Sequence, residues 1–172
     1  MNRRESLVGL SAIAAHVMFP QVLERFAVVS QTLAASADRW EPELLSAAQA
    51  AKLAEIVETI VPETDTPGAK AARVHVFVDL ALARCVLPAQ QQQVLAAIDG
   101  LPGDFASLGV TERQKAIEQL PAEALALLRD FTVLGYCTSE PGATRGMAYE
   151  PVPGGYRGCV DLKPGQKAWA TR

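Results

Sequence analysis

His75 is the one histidine outside the first 37 residues, and it sits in the apolar stretch Val74-His75-Val76-Phe77. There a hydrogen-bonded core or interface histidine is favoured over a catalytic base, and one imidazole cannot assemble a histidine-based metal site. Asp65 and Asp79 could be brought together by a loop and the helix after it, giving a carboxylate pair suited to general acid–base work. Such pairs are commonplace, and nothing in the flanking residues points to a raised pKa. Gly68, Gly142, Gly146 and the Gly154-Gly155 pair do not fall into a strand, glycine-rich turn and helix, so no dinucleotide fingerprint or phosphate loop is read. Ser139 lacks a G-x-S-x-G elbow, and Cys137 has no histidine beside it in sequence. The chain is therefore read as having no catalytic, cofactor-binding or metal-binding residues of its own. The alternative kept beside this is a stand-alone periplasmic enzyme or small-ligand-binding protein using the Asp65 loop and His75.

The elements that would position these residues are helical. Ala, Leu, Val and Gln dominate the 172 residues and aromatics make up only 6%, a balance that favours helix over sheet. That length suits one domain with a real core. A net charge of -3 with both signs scattered leaves no basic stripe for phosphate neutralisation, which excludes nucleic acid as a partner. Ser46 and Gln49 are spaced as a capping box, and Leu53, Ile56, Val57, Ile60 and Val61 recur on one face of the helix that follows and stops at Pro62. Pro62 to Ala69 is dense in turn formers, with Asp65, Thr66 and Gly68 expected in a fixed, hydrogen-bonded structural loop. Val74 to Leu82 predicts a second helix ending near Leu87-Pro88, and Gln90 to Ile98 a third, closed by Asp99-Gly100. A short fourth runs from Thr111 to Leu120, and a fifth from Ala122 to Tyr136 turns Leu125, Leu128, Phe131, Val133 and Leu134 inward. The expected fold is all-α, a compact bundle of about five helices over 38–136 with a long irregular C-terminal extension over 137–172.

Residues 1–37 differ from the rest: Arg3-Arg4 is followed by the apolar run Leu7 to Ala15, and Ala35-Ser36-Ala37 offers a small-residue cleavage site. Paired arginines before a moderately apolar stretch resemble a twin-arginine export signal, the route for proteins that cross a membrane already folded. His16 and the Glu24-Arg25 pair interrupt this pattern. The competing reading is an amphipathic helix pair, broken at Phe19-Pro20, that stays attached and packs on the domain. The apolar run falls short of the roughly 20 residues a spanning helix needs.

The last third carries too many breakers to continue a helix, through Thr138 to Gly146 and again through Pro151 to Gly158. Such a stretch is either disordered or held by something, and its aromatic and long side chains favour the held reading. Candidate partner-interface residues are Tyr136, Glu140, Arg145, Met147, Tyr149, Tyr156, Arg157 and Trp169. Covering the domain's own surface is the other role open to the tail. Cys85, Cys137 and Cys159 form no C-x-x-C pair, which argues against a zinc, iron–sulfur or haem attachment site. They are either buried thiols or, in an oxidising compartment, one disulfide most naturally made by Cys137 and Cys159.

Gly135-Tyr136-Cys137-Thr138-Ser139-Glu140-Pro141-Gly142-Ala143-Thr144, followed by Tyr149 to Cys159, resembles the family named after subunit 3 of gluconate 2-dehydrogenase. The loop Ile60 to Ala69 and the terminal Lys163 to Ala170 add to the likeness, which runs over roughly 45–170. The resemblance implies a non-catalytic small subunit of a large FAD-dependent flavoprotein of the glucose-methanol-choline type, with a cytochrome c subunit carrying haem c as a further partner. It also implies that a twin-arginine signal on this subunit takes the folded, FAD-loaded partner through the translocation machinery to the periplasm, at or near the inner membrane. Gluconate, glucosides oxidised at the 3-position and other sugars are the substrates associated with such complexes. On this reading FAD and the catalytic histidine belong to the large subunit.

Overall fold

The computed structural model describes residues 40–150, 152, 154, 155, 161 and 163–169. The Arg3-Arg4 pair, the Ala35-Ser36-Ala37 site, Tyr156, Arg157 and Cys159 lie outside the described residues. Five α-helices make up the body: α1 (Ala47–Ile60), α2 (Val74–Cys85), α3 (Pro88–Asp99), α4 (Val110–Glu118) and α5 (Ala122–Thr138). A 3-10 turn, Phe105–Ser107, joins α3 to α4, and a π turn, Gly142–Gly146, follows α5. No β-strand ladder forms among the described residues, and the one isolated bridge pairs Ala148 with Trp169.

Helix α1 is the hub, touching α2, α3, α4, α5 and the 3-10 turn. Its start is the expected capping box: Ser46 Oγ accepts the Gln49 N–H at 3.3 Å and Gln49 Oε1 accepts the Ser46 N–H at 2.9 Å. The Gln49 amide then donates to Asp99 Oδ1 at 2.9 Å, joining the first turn of α1 to the last residue of α3. Leu53, Ile56 and Val57 face the core together with Val74, Val78, Leu82, Val94, Ile98 and Leu128. Pro88 opens α3, where the missing N–H has no helical partner to lose. Helix ends are closed from a distance: the Gln91 amide donates to the carbonyls of Leu82, Ala83 and Val86, and Lys52 Nζ donates to those of Ile98 and Leu101.

Three features depart from the sequence expectations. Val133 and Leu134 do not point inward: they are 50% and 38% exposed. The buried stripe of α5 is Ala124, Leu128, Thr132 and Gly135, and the Thr132 hydroxyl donates to the Leu128 carbonyl at 2.6 Å. Gly135 fixes that phase, because a Cβ there would lie 2.7 Å from Phe77 Cδ1 and 3.0 Å from Val74 Cγ1 on the closely packed α2. Secondly, the breakers after α5 do not open straight into coil. Ser139 ends α5 and its Oγ accepts the Gly142 N–H at 3.1 Å, so it starts a new helical turn in which Pro141 has no N–H to waste. Thirdly, Phe105, the bulkiest of the fully buried side chains, comes from the 3-10 turn and packs into the core beside α1.

A strap, residues 40–46, runs along α2 before α1 begins. Asp79 of α2 is wholly buried, and its carboxylate accepts the N–H groups of Glu43 at 2.8 Å and of Leu44 and Leu45 at 3.2 Å each. Outside this contact, Arg84 reaches Glu43 through two guanidinium nitrogens, at 2.7 and 3.1 Å. Replacing Asp79 by Ala would strand three backbone donors against an apolar core. We predict a loss of about 3 kcal/mol or more of unfolding free energy in urea for Asp79→Ala, and less for Asp79→Asn, which keeps one acceptor oxygen. An unchanged urea midpoint for Asp79→Ala would refute the role given to the strap.

Candidate partner interface

The sequence-predicted site residues divide between a latched loop on one side of α5 and a folded-back tail beyond its end. In the loop, Thr64 Oγ1 donates to Asp65 Oδ1 at 3.0 Å and the Thr64 N–H reaches the Thr66 carbonyl at 3.0 Å. The residue that holds the loop is Glu58, which the sequence reading passed over. Its carboxylate accepts the N–H of Glu63 and the N–H of Lys70, both at 2.8 Å, bridging the two ends. Gly68 is buried against this latch, and a Cβ there would stand 2.3 Å from Glu58 Oε1. Tyr136 of α5 donates its hydroxyl to the Pro67 carbonyl at 2.8 Å, so this candidate interface residue also braces the loop. A glutamate placed five and twelve residues before two turn amides was the available signal, but only the folded loop shows that it serves both.

Among the described residues, neither acid–base candidate meets a partner suited to catalysis. Asp65 is exposed in the loop, while Asp79 is buried on the strap. His75 packs edge-on to Trp40 with ring centroids 5.2 Å apart, and its Nδ1, like Trp40 Nε1, is buried without a hydrogen-bond partner. Burial, with the charges of Arg73 and Lys70 nearby, pushes the imidazole pKa below its ordinary value. Among the described residues no group of three or more His, Cys, Asp and Glu is placed to hold a metal ion. Glu55 on α1 pairs with both Lys70 and Arg113, tying the loop's exit to α4. Burial raises its pKa, but the two cations outweigh that and hold it below the ordinary carboxylate value. Cys137 is a half-buried free thiol, and the Cys159 expected as its partner lies outside the described residues.

Beyond the π turn the chain folds back on itself. The Ala148 N–H donates to the Ala168 carbonyl at 2.7 Å, and Lys167 Nζ donates to the Arg145 carbonyl. These contacts bring residues 145–148 and 167–169 side by side. Tyr149 is 51%, Val152 81% and Trp169 44% exposed, so these apolar side chains face outward. Met147 is half-buried, with its N–H on the Gly142 carbonyl, while Glu140 and Arg145 are exposed.

A family model described as Gluconate 2-dehydrogenase subunit 3 matches residues 47–154. The chain belongs to this family. The match starts at α1, contains the latched loop and the π turn, and ends at Gly154, short of the 45–170 over which the resemblance was read. The family takes its name from a subunit of gluconate 2-dehydrogenase, and that name implies membership of a multi-subunit dehydrogenase. No curated protein and no solved structure matches it. Among the described residues, no helix is long and apolar enough to cross a membrane.

Two predictions follow from the latch and the shifted ionisations. A Cβ at position 68 must displace the Glu58 carboxylate from its two amides, so Gly68→Ala and Glu58→Gln should each cost about 1–2 kcal/mol and speed proteolytic cleavage within 62–69. Equal cleavage rates in the variants and the parent would disprove the latch. For pH, the folded pKa of His75 lies below its unfolded value of about 6.5, so the unfolded chain takes up the proton first. Stability from the neutral imidazole is complete above that pH and declines as the pH falls below it; His75→Gln should flatten this decline. Glu55 has the same sign in a lower window: its contribution is full above about pH 4.5 and is lost as the pH drops through its folded value. Urea midpoints between pH 7.5 and pH 3.5 separate the two: Glu55→Gln should lower the midpoint throughout the upper range and flatten only the fall below about pH 4.5.

Proposed function

We propose that the chain is a non-catalytic accessory subunit that stabilises a large FAD-dependent dehydrogenase of the glucose-methanol-choline type, acting on a sugar or sugar acid. The observation that carries this reading is the tail: the Ala148–Ala168 hydrogen bond pairs two segments next to which Tyr149 and Trp169 are exposed, and Val152 is exposed as well. Exposed aromatic side chains on a braced backbone lose little conformational entropy on binding, which suits a clasp on another protein. Titratable groups that might have done chemistry are engaged elsewhere: Asp79 in the strap, Glu58 in the latch, and Glu55 in an ion pair with Lys70 and Arg113. In this reading FAD is bound by the large subunit, and a cytochrome c subunit accepts the electrons. The Arg3-Arg4 pair addresses the preassembled complex to the twin-arginine machinery and the periplasm, where FAD insertion must precede export because the partner crosses folded.

Expression of the tagged chain beside the dehydrogenase encoded with it tests the proposal. A yellow flavoprotein should co-purify, and Arg3→Lys with Arg4→Lys should hold both proteins in the cytoplasm. We predict that Tyr149→Ala with Trp169→Ala weakens the complex by about 2 kcal/mol, roughly thirtyfold, while helical circular dichroism stays at the parental level. Recovery of the tagged chain without flavoprotein, or sugar oxidation by the isolated chain, would overturn the reading.

A further inference from the structure

The phenol of Tyr136 stands where the loop, the end of α5 and the π turn meet. Its hydroxyl donates to the Pro67 carbonyl of the loop at 2.8 Å. The π turn wraps around the same residue. At the start of the turn, a Cβ on Gly142 would lie 1.9 Å from the Tyr136 carbonyl oxygen. Ser139, which accepts the Gly142 N–H, donates its own hydroxyl to that oxygen at 2.7 Å. At the end of the turn, a Cβ on Gly146 would lie 2.7 Å from the Tyr136 hydroxyl and 3.2 Å from Cε1, so the backbone at 146 rests on the ring. Neither glycine has a left-handed backbone; the close approach to Tyr136 is what excludes a side chain at both positions. A clamp lies on each side of this joint. Toward the loop, Glu58 holds the amides of Glu63 and Lys70, and the Ala69 N–H donates to the Val61 carbonyl at 2.9 Å, so Pro67 is carried on a closed frame. Toward the tail, the Met147 N–H donates to the Gly142 carbonyl at 2.9 Å, and Ala148, the next residue, donates to Ala168 at 2.7 Å. Trp169 follows directly.

We infer that Tyr136 couples the loop to the tail: closure of the loop by Glu58 sets the position of Ala148 and Trp169 through the Tyr136 phenol. The sequence placed Tyr136 among residues that touch a partner, but its hydroxyl is engaged by Pro67 and its ring carries Gly146. It is a positioning residue for the exposed aromatic side chains of the tail. Loosening the loop is then felt at residues 145–148 and 167–169. Because coupling between two sites is reciprocal, anything that orders the tail by gripping Tyr149 and Trp169 tightens the loop in return. The coupling is a property of this chain and stands or falls apart from the flavoprotein reading.

Hydrogen exchange of the Ala148 amide, followed by NMR in the full chain, tests it through a double-mutant cycle. Tyr136→Phe should speed exchange at Ala148 about tenfold, and Glu58→Gln, on the far side of the joint, about fivefold. In the Tyr136→Phe background, Glu58→Gln should add less than about twofold, since the link it acts through is already cut. Gln49→Ala breaks the capping box of α1 and its bond to Asp99, and serves as the control for general destabilisation; it should leave the Ala148 rate unchanged. Gly146→Ala gives an entry from the tail side that keeps the phenol. It should speed cleavage within 62–69 by severalfold, a reciprocal effect that a distortion confined to the turn would not produce. Independent effects of Tyr136→Phe and Glu58→Gln, multiplying to about fiftyfold, would overturn the coupling. So would an Ala148 rate that Glu58→Gln leaves unchanged while the loop is cleaved faster, or a rise in Gln49→Ala equal to that in Glu58→Gln.

Discussion

One buried carboxylate sets the geometry of the N-terminal half of the domain. Asp79 lies inside α2 at zero exposure, and three consecutive backbone N–H groups of the strap converge on it. A polar group there would be costly without partners, and the strap amides would be equally costly without an acceptor, so each fixes the other. The strap then delivers Ser46 to the start of α1, and the Gln49 of its capping box reaches on to Asp99 at the end of α3. At its other end the strap lays Trp40 against His75. The placement of α1, α2 and α3 thus passes through a chain of polar contacts around one aspartate, with the apolar core packed inside it.

A second carboxylate pattern serves the opposite side. Glu58 closes the loop after α1 on itself, and Glu55, one turn earlier on the same helix, binds Lys70 beyond that loop and Arg113 on α4. Tyr136 completes the support by holding Pro67 from α5. A rigid loop in this position gives the end of α5 a firm seat, and the π turn and folded-back tail extend directly from that end. Exposed aromatic residues carried on a loose chain would lose much of their binding energy to ordering; carried on a braced one they do not. Glu58, Glu55 and Tyr136 thus brace the loop that seats the end of α5.

Much of this was legible from residue order. Five helices were expected and five are present among the described residues, with boundaries within about two residues at most ends, because capping residues and apolar spacing act over three or four positions. The loop from Pro62 to Ala69 has its ends joined through Glu58, which accepts the N–H groups of Glu63 and Lys70. Where expectation failed, the deciding contact was distant. Val133 and Leu134 were assigned inward by hydrophobicity, but the approach of α2 to Gly135 rotates α5 so that Thr132 is buried in their place. Phe105 was overlooked because a lone aromatic between Gly103 and Gly109 has no periodic neighbours to mark it. The turn after α5 was read as coil, since the pairing of Ser139 with Gly142 renews the helix where proline and glycine counts argue against it.

By itself, then, the amino-acid order determined the all-α class, the helices of the described residues and the family, because each depends on local spacing or short motifs. The tertiary structure alone decided the tasks of the polar side chains. Asp79 meets amides 34 to 36 residues away, Tyr136 a carbonyl 69 residues away and Arg113 a carboxylate 58 residues away. No local pattern encodes those pairings. They arise only when the helices pack and each buried polar group has to find its partner among whatever the packing brings within reach.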